Sequence, residues 1–160
     1  GLSLVYTAEG LPQDVEAELT SVRTLLRRAG APDPVVSSRD GSSLWADWLA
    51  VDFAGPQELL VRAGVAPKDV TETARAVLPH LGNACMLVDA PNGHLTLRGS
   101  FDLAGVREAV EALDGYAVVM GAARPVADLW GREPEALDLM RAIKAQWDPA
   151  GGFNVGMSLV

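Results

Sequence analysis

The stretch Ala84-Cys-Met-Leu-Val-Asp-Ala-Pro-Asn-Gly-His-Leu-Thr-Leu-Arg98 decides the fold of this chain of 160 residues. It contains two apolar runs, 84–88 and 95–98, separated by the turn-forming residues Pro91, Asn92 and Gly93. Turn residues between two runs of strand character favour antiparallel pairing of those runs. We therefore predict a β-hairpin at the centre of the fold.

A strand and a helix are predicted on each side of this hairpin. Before it, residues 59–65 form a strand and Pro67 begins a helix that ends at Pro79. After it, Asp102 caps a helix that Gly115 closes, and residues 116–120 form the last strand. The resulting order, βαββαβ, is the ferredoxin-like pattern.

The N-terminal third is expected to enlarge this core. Alternating residues over 2–7 predict a strand, and Pro12 begins an amphipathic helix through about Ala29, with Gly30 as its C-cap. Residues 31–43 are expected to be loop around a short strand at 35–37, and 44–53 form either a short helix or an edge segment. The fold class is thus α+β, with an enlarged antiparallel sheet, helices on one face and a C-terminal helix. Because Gly1 leads at once into strand character, we expect the chain to be a piece of a longer protein.

The C-terminal helix has marked ends in the sequence. Pro134 suits its first position, and an apolar stripe recurs at helical spacing in Ala136, Met140, Ile143 and Trp147. Pro149 and the pair Gly151-Gly152 end the helix, and the short turn Phe153-Asn-Val-Gly156 follows.

Composition restricts the class of protein. An apolar content of 49% is ample for a core, and a net charge of −8 argues against nucleic acid and anionic membrane surfaces as partners. No apolar run approaches the roughly 20 residues of a membrane span, so no membrane insertion is predicted. The single cysteine, Cys85, is expected to be a core residue and fits a reducing compartment. These properties predict a cytoplasmic protein.

Two arginines are candidates for substrate binding. Period-two alternation puts Leu60, Arg62 and Gly64 on one side of their strand, and Thr96 and Arg98 on the same side of theirs. With helices on the opposite face, Arg62 and Arg98 are expected on the open face of the sheet. There an arginine can bind a substrate carboxylate through two parallel hydrogen bonds. The alternatives are a solvated surface arginine and one that pairs with an acid across a domain interface.

No other catalytic motif is present. The sequence has no Gly-x-Gly-x-x-Gly or Walker-type loop and no Gly-x-Ser-x-Gly elbow. Its two histidines, His80 and His94, have no second histidine or carboxylate at metal-ligand spacing, so no metal site is predicted. The catalytic residues are not identified from the sequence.

The C-terminal region resembles a known family. The helix Leu139-Met-Arg-Ala-Ile-Lys144, followed by Asp148-Pro-Ala-Gly-Gly-Phe-Asn-Val-Gly156, resembles the C-terminal signature of FAD-linked oxidases of the vanillyl-alcohol-oxidase type. Asp128-Leu-Trp-Gly131 and Tyr116-Ala-Val-Val-Met120 are similar to the FAD-binding subunit of glycolate oxidase. The chain differs from this family in having Val155 and Met157 where proline and a basic residue are usual.

The resemblance implies that residues 1–160 are one domain, the C-terminal, substrate-capping domain of such an oxidase. FAD is then bound mainly by an N-terminal domain absent from this chain, with Asn154, Gly156 and Trp130 near the flavin. The implied reaction oxidises a small 2-hydroxy acid such as glycolate to the 2-oxo acid. The implied partners are the FAD-binding domain and the other glycolate oxidase subunits.

Two alternatives to this function stay open. One is a non-catalytic assembly subunit, which the scarcity of histidines favours. The other is a free-standing ligand-sensing module of ferredoxin-like topology, since fold alone does not determine function.

Overall fold

The structure, a computed structural model, describes residues 3–37, 41–49 and 58–153. Its contacts divide the chain into two units, residues 1–51 and residues 52–160. The sequence suggested one domain over 1–160, and the second of these units alone contains the whole βαββαβ core.

In the first unit, helix α1 (Pro12–Arg28) has the predicted bounds. The side that the periodicity marked as apolar is the half-buried side, formed by Val15, Leu19, Val22 and Leu26. Gly30 follows with a φ of +74°, the left-handed conformation that a glycine C-cap supplies without a steric penalty. The basic residues Arg27 and Arg28 in the last turn complement the helix dipole.

The rest of the first unit differs from the prediction. Residues 3–9 form no strand, so the strand expected over 2–7 is wrong for its described part, and the described sheet is not enlarged by it. Tyr6 donates a hydrogen bond to Glu18 of α1 instead. The described part of the segment 44–53 is helical, and its helix α2 (Gly41–Leu49) begins within residues 31–43, which were expected to be loop. The Trp45 indole nitrogen lies 3.5 Å from the Thr7 hydroxyl oxygen.

The second unit confirms the ferredoxin-like core. One antiparallel sheet of four strands has the order β2-β3-β1-β4, and two main helices connect its strands. A further helix follows the last strand. In chain order the elements are β1 (Leu59–Gly64), α3 (Val70–Val77, between 3₁₀ turns at Pro67–Asp69 and Leu78–His80), β2 (Cys85–Asp89), β3 (His94–Gly99), α4 (Leu103–Glu111), β4 (Tyr116–Ala122) and α5 (Leu137–Trp147).

The core lies between one face of this sheet and helices α3 and α4. Its fully buried side chains include Val61, Leu95 and Leu97 from the strands and Val77 and Val106 from the helices. These residues alternate with exposed or half-buried ones along the strands, because successive side chains in a strand point to opposite faces. The prediction that helices cover one face is therefore confirmed.

Two details of α3 were missed by periodicity. Thr73 is completely buried, and its hydroxyl is satisfied by donating to the Asp69 carbonyl at 2.9 Å. Leu78, at the start of the 3₁₀ turn that follows α3, is 54% exposed although it lies within the predicted helix.

Helix α4 begins as predicted and ends differently. The Asp102 carboxylate accepts the Gly105 N–H at 3.1 Å, as an N-cap should. At the other end, Asp114 has the left-handed φ of +57°, whereas glycine was expected to supply that conformation. Gly115 serves close packing instead, because an added Cβ would lie 2.5 Å from Val65 and 2.6 Å from the Gly64 carbonyl.

Helix α5 starts later than predicted, at Leu137, so Pro134 precedes the helix. Its buried residue is Leu137, with 6% of its surface exposed, and the predicted stripe is largely accessible: Ile143 is 50% and Trp147 76% exposed. The periodicity identified an amphipathic helix correctly, but the buried residue of this helix, Leu137, does not belong to the predicted apolar stripe.

Candidate functional site

The face of the sheet opposite α3 and α4 carries the candidate site, and we name it the open face. Three rows of side chains cross it, because paired residues lie side by side in an antiparallel sheet. Listed in the direction from β2 to β4, the first row is Cys85, Arg98 and Leu60. The second row is Leu87, Thr96, Arg62 and Val118, and the third row is Asp89, His94, Gly64 and Tyr116. Arg62 and Tyr116 are exposed, whereas His94, Thr96 and Arg98 are half-buried.

Both arginines lie on this face as the sequence predicted. Arg62 of β1 is paired with Thr96 of β3, and Arg98 lies two residues further along β3, so the two arginines are diagonal neighbours. Diagonal positions on an antiparallel sheet are about 7–8 Å apart, within reach of long side chains. The open face therefore combines two positive charges with the apolar residues Leu60 and Leu87. Whether they bind substrate stays a prediction.

His94 contacts one of these arginines. Arg62 Nη2 lies 3.5 Å from His94 Nδ1. A guanidinium can only donate, so Nδ1 is the acceptor and the imidazole hydrogen is on Nε2. At 3.5 Å the bond is long and weak, which leaves the other donors of Arg62 available.

Tyr116 reaches the same place from β4. A Cβ built on Gly64 would lie 2.6 Å from the Tyr116 atoms Cε1 and Cζ and 2.7 Å from Oη. The hydroxyl end of the ring therefore lies directly over Gly64, where any side chain would displace it. This use of glycine was not inferred from the sequence, although a glycine inside a strand often marks close approach of another group.

Trp130 belongs to a different part of the molecule. It lies in a turn whose Asp128 Oδ1 accepts the N–H groups of Trp130 and Gly131, both at 2.9 Å. Asp128 Oδ2 accepts from Arg107 of α4 at 3.0 Å, and a second Arg107 nitrogen donates to the Asp128 carbonyl. Because α4 packs on the opposite face of the sheet, the structure does not bring Trp130 together with Arg62 and Arg98.

The same contacts favour the ionised form of Asp128. The N–H of Gly131, followed by that of Trp130 and the Arg107 guanidinium, holds the pKa of Asp128 below its ordinary value. Arg107 itself is only 15% exposed, and its Nε also donates to the Ala117 carbonyl of β4 at 3.3 Å. Asp128 thus fixes the chain to the helix side of the second unit.

The two other cofactor candidates, Asn154 and Gly156, lie outside the described residues. The residues just before them form an ordered turn around Asp148, whose side chain is 8% exposed. Its carboxylate accepts the N–H groups of Gly152 at 2.8 Å and Phe153 at 2.9 Å and pairs with Lys144, which also donates to the Phe153 carbonyl. The Lys144 ammonium, aided by these N–H groups, lowers the pKa of Asp148 to about 2.

A histidine and an aspartate also meet at the start of α4. His80 Nδ1 lies 3.3 Å from Asp102 Oδ2, and the Gly105 N–H and then His80 lower the pKa of Asp102. A Cβ on Gly105 would lie 2.1 Å from His80 Nδ1, so this glycine makes room for the imidazole. The pair closes the helix end and lies away from the open face.

Cys85 corrects a sequence prediction. It is exposed at the start of β2, whereas its position in an apolar run had suggested the core. The register with β3 explains the difference, because Met86 and Val88 pair with the buried Leu97 and Leu95 and so occupy the helix side.

In the ranges that the structure describes, no group of three or more histidine, cysteine, aspartate or glutamate side chains is placed to hold a metal ion. None of the helices described is both long enough and apolar enough to cross a membrane. Comparison of the chain with models of protein families, with curated proteins and with solved structures gives no match. The family resemblance therefore stays a prediction.

Proposed function

We propose that this chain is the substrate-capping domain of an FAD-dependent oxidoreductase that oxidises a small 2-hydroxy acid, such as glycolate, to the 2-oxo acid. One observation carries the proposal: Arg62 and Arg98 lie together among apolar residues on the open face. A cationic, partly apolar surface suits a ligand with a carboxylate and a short carbon chain.

The charge of the chain sharpens this argument. With a net charge of −8, the chain as a whole does not attract a small anion, so binding one requires local positive charge, which Arg62 and Arg98 supply on the open face. Arg62 supplies a planar fork of donors that matches a carboxylate in two parallel hydrogen bonds. Its role is to bind and orient the acid.

FAD itself fits this chain only in part. The sequence has no glycine-rich phosphate loop, so the pyrophosphate of FAD requires another domain. The donors on the open face suit the carboxylate of the substrate. When bound, FAD would accept the hydride equivalent from the 2-hydroxy carbon.

The test uses the oxidase that contains this chain. We expect Arg62→Gln to lower kcat/KM for glycolate about 100-fold, since two hydrogen bonds to a charged group are lost. FAD content and subunit assembly should not change. Arg75→Gln is the matched control, because Arg75 is an exposed arginine on α3, on the other side of the sheet. An unchanged kcat/KM for glycolate in Arg62→Gln would contradict the proposal.

A non-catalytic assembly role is the second candidate, and the exposed stripe of α5 favours it. Ile143 and Trp147 present apolar surface that a partner subunit would bury. Ile143→Ser with Trp147→Ser distinguishes the two functions. Loss of a subunit from the purified complex, together with normal turnover of Arg62→Gln, supports the assembly role.

A further inference from the structure

Three polar side chains from three neighbouring strands converge around Gly64. Arg62 comes from β1, His94 from β3 and Tyr116 from β4, and Gly64 is paired with both His94 and Tyr116. Arg62 Nη2 lies 3.5 Å from His94 Nδ1, and the Tyr116 hydroxyl lies over Gly64. Arg62 and His94 are thus in contact, and the Tyr116 hydroxyl lies over the neighbouring Gly64, which has no side chain.

All three groups can donate a hydrogen bond outward. Arg62 has only donors, His94 donates from Nε2 in the tautomer whose Nδ1 accepts from Arg62, and Tyr116 has a hydroxyl. Among the described residues, the Tyr116 hydroxyl has no hydrogen-bond partner, and 44% of the residue is exposed. A cluster rich in donors suits a ligand rich in acceptors.

One acidic residue borders the cluster, and Arg62 supplies the positive charge within it. Asp89 of β2 is paired with His94, but its carboxylate accepts from the Asn92 side chain at 2.9 Å. Arg98, which lies one row away and has a polar contact of its own, is not part of the cluster.

We propose that Arg62, His94 and Tyr116 form one subsite for a small carboxylate that carries a neighbouring hydroxyl or oxo group. Arg62 binds the carboxylate, and His94 and Tyr116 donate to the neighbouring oxygen. Gly64 determines the shape of the subsite, because a larger residue displaces the Tyr116 ring. Only the choice of a 2-hydroxy acid as the ligand rests on the proposed function.

The experiment is an NMR titration of this chain of 160 residues with glycolate, following the imidazole signals of His94. Acetate, which lacks the hydroxyl, and methyl glycolate, which lacks the carboxylate, are the comparison ligands. We expect saturable binding of glycolate, weaker binding of acetate and none of methyl glycolate.

Variants then separate the three contributions. We expect Tyr116→Phe to raise the Kd for glycolate about tenfold, because one hydrogen bond to the ligand is lost. Arg62→Gln should raise it about 100-fold, because two hydrogen bonds to the carboxylate are lost. Gly64→Ala should resemble Tyr116→Phe. Tyr6→Phe is the matched control, since the Tyr6 hydroxyl is bonded to Glu18 in the first unit. Tyr116→Phe, which keeps the ring, decides the question if Gly64→Ala fails to fold.

Each result has a definite meaning. An unchanged Kd in Tyr116→Phe, or no saturable binding of glycolate, overturns the subsite. If Tyr116→Phe binds glycolate normally while Arg62→Gln lowers turnover of the oxidase, the subsite is refuted and the proposed function stands. If glycolate binds as expected but turnover does not depend on Arg62, the subsite stands and the proposed function is refuted.

Discussion

Replacing Asp128 by alanine tests whether a single carboxylate holds the turn at 128–131. The substitution removes two bonds to the N–H groups of Trp130 and Gly131 and one from Arg107. Hydrogen bonds to charged groups contribute roughly 1.5–3 kcal/mol each. Because the Asp128 side chain is 56% exposed, we reduce this to about 1 kcal/mol each, since solvent weakens such contacts. The expected loss in free energy of unfolding is about 2–3 kcal/mol.

Urea unfolding, followed by circular dichroism and tryptophan fluorescence, measures this loss. Asp128→Asn keeps a carbonyl oxygen for the two N–H groups but loses the charge opposite Arg107, so we expect about 1 kcal/mol. Asp138→Ala is the control, because the Asp138 side chain is 99% exposed and its removal should cost within about 0.5 kcal/mol. Faster amide exchange at Trp130 and Gly131 should accompany the loss in Asp128→Ala. Equal effects of Asp128→Ala and Asp138→Ala would refute the reasoning.

Three further predictions follow from the core, the turns and the cofactor assignment. Leu97→Ala should lower the free energy of unfolding by about 2–5 kcal/mol in urea, because the side chain is fully buried, whereas Leu139→Ala, at a residue 62% exposed, should cost less than about 1 kcal/mol. The Asp148 carboxyl should titrate near pH 2 when followed by NMR. Its contribution to stability is therefore present above the unfolded pKa of about 3.9 and is lost as the pH falls toward 2. A titration midpoint near pH 4 would contradict the contacts with Lys144. The isolated chain should bind FAD weakly or not at all in an absorbance titration, and a tight, stoichiometric yellow complex would overturn the assignment of FAD to another domain.

Local signals predicted most of the second unit. Pro67 in the turn that leads into α3, Asp102 as an N-cap and the Pro91-Asn-Gly93 turn each act over a few residues, so they can be recognised in one sequence. The alternation of Val61, Arg62 and Ala63 also gave the correct face for each side chain. These signals were sufficient for the βαββαβ order and for the placement of Arg62 and Arg98.

The errors arose where a partner decides the structure. Alternation over residues 2–7 predicted a strand, but a strand needs another to pair with, and Tyr6 bonds to α1 instead. Cys85 was misplaced because both faces of a short apolar run look alike until the register with β3 is known.

Two polar features of the second unit, the Arg107–Asp128 contact and the approach of Tyr116 to Gly64, were missed for a related reason. Arg107 and Asp128 are 21 residues apart, and no helical or strand period connects them. Asp128-Leu-Trp-Gly131 does contain a usable signal, because an aspartate that precedes a glycine by three residues favours a turn closed by its own carboxylate. The approach of Tyr116 to Gly64 requires the pairing of β1 with β4, which local sequence does not specify.

The position of β1 inside the sheet sets the order in which the second unit can fold. β2 and β3 are joined by a short turn and can pair early, since closing a small loop costs little entropy. β1 pairs with β3 on one edge, and its other edge needs β4, whose register runs from Gly64 with Tyr116 to Leu59 with Ala122. Contacts between such distant residues form slowly. During synthesis on the ribosome, β1 therefore keeps an unpaired edge until the last strand emerges, and the sheet is completed only then.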